Sequence, residues 1–203
     1  MKIIVIGTGV IGGAVARALE ADHEVVTASR SGATKVDITD VAALERLFGA
    51  ASASGGGGGD GLGAIVCCAG DAAFKTLDAL TPADFEVGIR CKLMGQVNAL
   101  LVGRRFLQAG GSITLTSGVL ARRPMPGSAA VSMVNGGLES FVRAAALESG
   151  RLRVNVVSPG WVTETMVALG MDPAGGIPAD VVARAYVEAV EGTRNGETIE
   201  VVG

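Results

Sequence analysis

A chain of 203 residues, 49% of them apolar and 31 more glycine, is long enough and apolar enough to bury the core of one compact domain, which excludes global disorder. A formal net charge of −3 leaves no basic excess with which to hold nucleic acid or an anionic membrane. Three cysteines (Cys67, Cys68, Cys91) and a single histidine (His23) exclude a disulfide scaffold and imply no metal centre; with an apolar opening too short for a leader or a spanning helix, they fit a soluble, cytoplasmic protein.

Short aliphatic runs alternate with helical periodicity from end to end, the pattern of βαβ units around a parallel sheet buried on both faces. In chain order, strands are predicted at residues 2–6, 24–28, 34–36, 63–68, 111–116, 152–157 and 197–202. Helices are predicted at 10–21, 40–49, 82–107, 128–149 and 179–191. The class is α/β, a doubly wound sheet of about seven strands with helices on both faces. Residues 50–63, with glycines at 55–59, 61 and 63, read as a flexible surface loop, because glycine-rich chain has high backbone entropy and nothing to bury. Thr81 and Pro82 form an N-cap and first-turn pair for the third helix. In the fourth, Val131, Val134, Leu138, Phe141, Val142 and Ala145 recur at three-and-four spacing, so one face packs inward.

The first strand runs into Gly7-Thr8-Gly9-Val10-Ile11-Gly12-Gly13 and a helix follows at once. This is a GxGxxG turn in strand-turn-helix context: Gly7 permits the turn, Gly9 lets backbone approach a pyrophosphate, and Gly12 lets the helix pack on the strand. The N–H groups opening the helix, those of Val10 and Ile11 among them, are then aimed at an anion. Binding of a dinucleotide is the expectation. The second strand ends in Ala28-Ser29-Arg30-Ser31, without the carboxylate that would grip a free ribose 2′-hydroxyl. An arginine flanked by hydroxyls holds a 2′-phosphate instead, so NADP, with NADPH preferred over NADH, is the expected cofactor; the other reading of Arg30 is a solvated strand end.

With the glycine turn, four further blocks in order and spacing resemble the short-chain dehydrogenase/reductase family across essentially the whole chain. Asp37-Ile38 is similar to the family's acidic and aliphatic pair at the adenine ring. Cys67-Cys68-Ala69-Gly70 resembles its Asn-Asn-Ala-Gly strand end, Ile113-Thr114-Leu115-Thr116-Ser117 the strand leading to its serine, and Asn155 to Val162 the turn, Pro159-Gly160, that meets the nicotinamide. The resemblance implies one Rossmann-like domain, residues 1–203, with seven parallel strands, assembled as a homodimer or homotetramer through its long helices. It further implies cofactor contacts at Asp37, Ile38, Cys68, Ala69, Gly70, Asn135, Pro159, Gly160 and Val162.

The departures bear on function. In the family a tyrosine donates the proton, and a lysine four residues on lowers its pKa and holds the nicotinamide ribose. By this resemblance Val131 stands at the tyrosine position and Asn135 at the lysine position. Gly118 stands at the serine position with Ser117 beside it, Lys92 at that of the helix asparagine, and Glu164, flanked by Thr163 and Thr165, at that of the threonine after the turn. Ser117 and Lys92 remain as candidate catalytic residues, each with an ordinary alternative, a capped strand end and a solvated helix lysine. Asn135 can hydrogen-bond a ribose hydroxyl or be a tolerated cleft residue. Arg122 and Arg123 are surface residues or contacts for an anionic substrate, and Cys91 and Met94 line core or cleft. Tyr186 lies too far along the chain to replace the missing acid. Two functions stay open: an NADP-dependent oxidoreductase acting on a small carbonyl or alcohol through a degenerate site, and a non-catalytic NADP(H)-binding sensor or scaffold.

Overall fold

Ile3, Ile4, Val5 and Ile6 put β-branched side chains on both faces of one short run, and all four are buried, which places this strand in the middle of a covered parallel sheet. The structure is a computed structural model that describes residues 1–53 and 61–203. Its strands are β1 (Lys2–Ile6), β2 (Glu24–Ala28), β3 (Leu62–Cys67), β4 (Leu107–Thr116), β5 (Arg153–Pro159) and β6 (Thr198–Val201). They form one parallel sheet in the order β2-β1-β3-β4-β5-β6.

The sheet has six strands among the described residues, not seven. Residues 34–36 make only a single bridge, Lys35 to Ser29, because the chain turns back directly beyond β2: the Ser29 N–H donates to Thr34 O and the Val36 N–H to Ser29 O. Too few residues run alongside β2 to extend a ladder. The expected loop at 50–63 is also narrower at both ends, since helix reaches Ala53 and β3 starts at Leu62; its centre lies outside the described residues.

The helices are α1 (Val10–Leu19), α2 (Val41–Ala53), α3 (Pro82–Gly88), α4 (Gly95–Gly103), α5 (Ala129–Glu148), α6 (Thr163–Ala168) and α7 (Ala179–Glu191). A π-helical turn, Ile89–Met94, joins α3 to α4. The start of α3 is fixed by chemistry legible in the sequence: the Thr81 N–H and hydroxyl both donate to the Asp84 carboxylate, at 2.9 and 2.8 Å, ahead of Pro82. Beneath the sheet, α1 and α7 bury Leu19, Val182 and Tyr186 against Ile3 and Val5. On the other face α2, α4 and α5 bury Phe48, Leu100 and Leu138 against Ile4 and Ile65. No helix among the described residues is long and apolar enough to cross a membrane.

Candidate functional site

Because β2 and β3 lie on opposite sides of β1, the chain leaves the ends of these strands in diverging directions and opens a crevice there. Gly7 turns the chain at the end of β1 with φ +97°, and a side chain on it would meet the Ala69 backbone at 2.8 Å. At Gly12 a Cβ would fall 1.8 Å from the Gly7 carbonyl oxygen, so only glycine lets α1 pack this closely on the turn. Gly9 differs: a Cβ there would meet nothing within 4 Å. No packing of the protein requires glycine at this position, whereas close approach of a pyrophosphate would.

A cavity of about 270 Å³ occupies the crevice. It is lined by Gly7, Thr8 and Gly9 from the first turn, by Ser29, Arg30 and Ser31 after β2, by Asp37 and Ile38, and by Cys68, Ala69 and Gly70 after β3. Thr8 donates a hydrogen bond to the Ser29 hydroxyl at 3.0 Å, which sets two hydroxyls beside the exposed Arg30. The Asp37 carboxylate accepts from the backbone N–H and hydroxyl of Thr39, at 2.9 and 2.8 Å, and these bonds hold its pKa below the ordinary value. Of the predicted contacts, Val10 and Gly12 line neither this cavity nor the next; Gly12 is buried under the turn and Val10 is exposed.

A second cavity, of about 500 Å³, lies alongside: Gly9 and Ile11, Asp71 and Ala72, Cys91 and Lys92 divide between the two. Phe74, Leu120, Val131, Trp161, Leu169 and Met171 make its walls apolar, with the Phe74 and Trp161 rings edge to face at 6.0 Å. Lys92, Ser117, Gly118, Asn135, Pro159, Gly160 and Val162 also line it, so residues spread over 70 positions of sequence converge here. Asn135 is 1% exposed; its Nδ2 donates to Gly118 O at 3.4 Å, and its Oδ1 has no partner. A buried acceptor left open at a cavity wall fits a ligand hydroxyl.

Lys92, on the π-helical turn, donates from Nζ to the Ser117 carbonyl at 3.2 Å. Burial holds its ammonium down to about 8, against the pull of Asp71. Ser117 does not present its hydroxyl to the cavity as a catalytic donor would: Oγ donates to the buried Glu139 at 3.1 Å. Glu139 also accepts from Arg122 Nε at 2.9 Å, and Arg122 pairs with Glu200 on β6, so two carboxylates already occupy this guanidinium. Arg122 is therefore a structural clasp and not a contact for an anionic substrate. Glu164 accepts from the Ala179 N–H with both oxygens and caps α7, leaving Thr165 at the cavity. Tyr186 is fully buried, hydrogen-bonded to Thr116 Oγ1 at 2.7 Å, with its pKa pushed well up by burial. Burial likewise raises Cys67 and Cys68 to about 12, so neither is a nucleophile at neutral pH.

Two positioning residues escaped the sequence reading. Gln96 is fully buried and brackets the end of β4, donating to Thr116 O at 2.9 Å and accepting from Thr116 N–H at 2.7 Å. Glu139 holds both Ser117 and Arg122. The available signal was a polar residue inside an apolar stripe: Asn135 and Glu139 stand four apart on the inward face of α5.

A family model described as enoyl-(acyl carrier protein) reductase matches residues 7–199. With the geometry above, this shows that the chain belongs to the short-chain dehydrogenase/reductase family of oxidoreductases. The short-chain dehydrogenase/reductase ATR9 of Stachybotrys chlorohalonatus is 31% identical over 153 residues, covering 73% of this chain and 59% of that protein; the chain thus spans less than two thirds of that relative's length. The crystal structure of the protein lin1944 from Listeria innocua superposes with a TM-score of 0.89 at 36% identity, covering 99% of each chain. A small-chain dehydrogenase in complex with NADPH superposes with a TM-score of 0.85 at 26% identity, over 100% of this chain and 96% of that one.

Proposed function

We propose that the protein is an NADP(H)-binding oxidoreductase that acts on a small carbonyl or alcohol through an attenuated active site. The observation that carries this reading is the pair of adjacent cavities, one with the glycine turn and Arg30, the other with Lys92 and the unpartnered Asn135 Oδ1. Arg30 with the Ser29, Ser31 and Thr8 hydroxyls suits a 2′-phosphate, and a similar dehydrogenase was solved with NADPH. The reduced nicotinamide, when bound, supplies the hydride. Asn135 offers an acceptor for a ribose hydroxyl, and Val131 offers no proton.

Titration calorimetry with both cofactors tests this. NADPH should bind at least about tenfold more tightly than NADH, since a charge-assisted contact contributes about 1.5–3 kcal/mol; Arg30→Ala should abolish the difference. Equal affinities, or an unchanged preference in Arg30→Ala, would refute the cofactor assignment. Val131 and the engaged Ser117 hydroxyl favour a second reading, a non-catalytic NADP(H) sensor or scaffold. NADPH binding with no turnover across a panel of carbonyls would select it. The same proposal includes a homodimer or homotetramer, supported by the exposed Val87, Leu101 and Met133 on α3, α4 and α5, and a cytoplasmic location, supported by three unpaired cysteines.

A further inference from the structure

Among the described residues lining the second cavity, Lys92 is the only one with an acidic or basic side chain. The other groups at this cavity are weaker acids or already engaged: Thr165 and Trp161 offer an alcohol O–H and an indole N–H, both far less acidic than an ammonium. Ser117 Oγ is committed to Glu139, Val131 is a hydrocarbon, Asn135 is a neutral amide, and Tyr186 is sealed in the core. By the family resemblance the positions of lysine and asparagine are exchanged here, so the cation has moved from α5 to the π-helical turn packed beside it. Gly70, at φ +139°, lets this turn pack closely, since a Cβ there would lie 2.8 Å from Lys92 Cγ. Anchorage on the Ser117 carbonyl uses one of the three N–H bonds of Nζ.

We propose that Lys92 replaces the missing tyrosine as proton donor, and that the cavity takes an uncharged, largely apolar carbonyl compound whose oxygen lies against its ammonium. The inference rests on the reductase reading above. In the step, the carbonyl carbon gains a hydride from NADPH, the C=O π pair becomes a lone pair on oxygen, and an Nζ–H bond breaks as O–H forms. Lys92 is left neutral and recovers its proton from water, while the cofactor leaves as NADP. Asp71, in the loop after β3, is the charged group that bears on Lys92; the turn after β4 presents the Ser117 carbonyl and α5 presents Asn135, and neither titrates. Its pKa of about 8 leaves Lys92 largely protonated at neutral pH and yet able to release the proton.

The chain has four lysines, so ¹³C NMR of lysine-labelled protein, with the Lys92→Met spectrum for assignment, reads this pKa directly. It should lie near 8 without cofactor. With 4-nitrobenzaldehyde as the probe, kcat/KM for NADPH-dependent reduction should fall as pH rises through about 8. Lys92→Met should lower it about 10²–10⁴-fold, with NADPH affinity changed less than about threefold. Lys92→Arg should keep the charge yet fail to restore the rate, and should lose the break near pH 8, because a guanidinium does not release its proton; full recovery in Lys92→Arg would overturn the proton-donor role. Titration of Lys92 at the ordinary value near 10.5, or a Lys92→Met rate within about threefold of wild type, would overturn the assignment and leave the reductase reading intact. Wild-type protein that fails to bind NADPH, or binds it and reduces nothing, would instead refute the reading beneath it.

Discussion

Gly12 shows how little space separates the glycine turn from its helix. Its nearest obstacle is the backbone oxygen of Gly7, not the end of a flexible side chain. Gly12→Ala must therefore push α1 away from β1, and we expect a loss of about 1–3 kcal/mol in urea unfolding together with loss of NADPH binding in calorimetry. Lys92 carries a linkage of opposite kind. Its folded pKa, about 8, lies below the free value of 10.5, so between these values the unfolded chain holds more protons. Its contribution to stability is greatest above pH 10.5, declines as pH falls through that window, and is constant below pH 8. Removing the cation in Lys92→Met should stabilise the protein at pH 7, with the difference from wild type closing as pH rises to about 10.5 in parallel denaturant titrations. A variant less stable than wild type at pH 7 would contradict this sign.

Among elements, the decisive joint is between α4 and the end of β4. Gln96 satisfies both backbone groups of Thr116 in a dry interior, and Thr116 directly precedes the Ser117 carbonyl that holds Lys92. Gln96→Leu would strand a buried N–H and a buried C=O, at about 1–3 kcal/mol for each unsatisfied group. Thermal or urea unfolding should register that loss, while NADPH affinity, for which the proposed 2′-phosphate and pyrophosphate contacts follow β1 and β2, stays within a few-fold. Helix start signals at Thr81, Pro82 and Asp84 were legible because capping is local. The π-helical turn inside the predicted helix 82–107, its end at Gly103 and the short α6 were not, since side-chain periodicity does not report a one-residue widening and six residues give too little of a pattern.

For the whole molecule, the exposed apolar side chains on α3, α4 and α5 give the expected assembly a surface to use. Leu101 is 47% and Met133 44% exposed, each on a helix that covers the sheet. Light scattering should find a particle of two or four chains at micromolar concentration, and Leu101→Glu with Met133→Glu should reduce it to one, by placing charge in an interface that excludes water. A single-chain particle for the wild type would end this expectation.

The glycine turn, the arginine after β2 and the alternation of strands and helices are each properties of a few neighbouring residues, so the order of residues alone determined the α/β class and the family. Where Ser117 points, whether Arg122 is free and which groups share a cavity with Lys92 were decided by contacts of the segment after β4 with α5 and β6, between residues 17 to 78 apart in the chain. Strand periodicity assigns a residue to a face, but hydrogen-bond partners across the sheet choose among its rotamers, and burial sets its charge. The seventh strand was lost for a tertiary reason as well, since residues 34–36 had the right composition but meet only Ser29, one residue beyond β2.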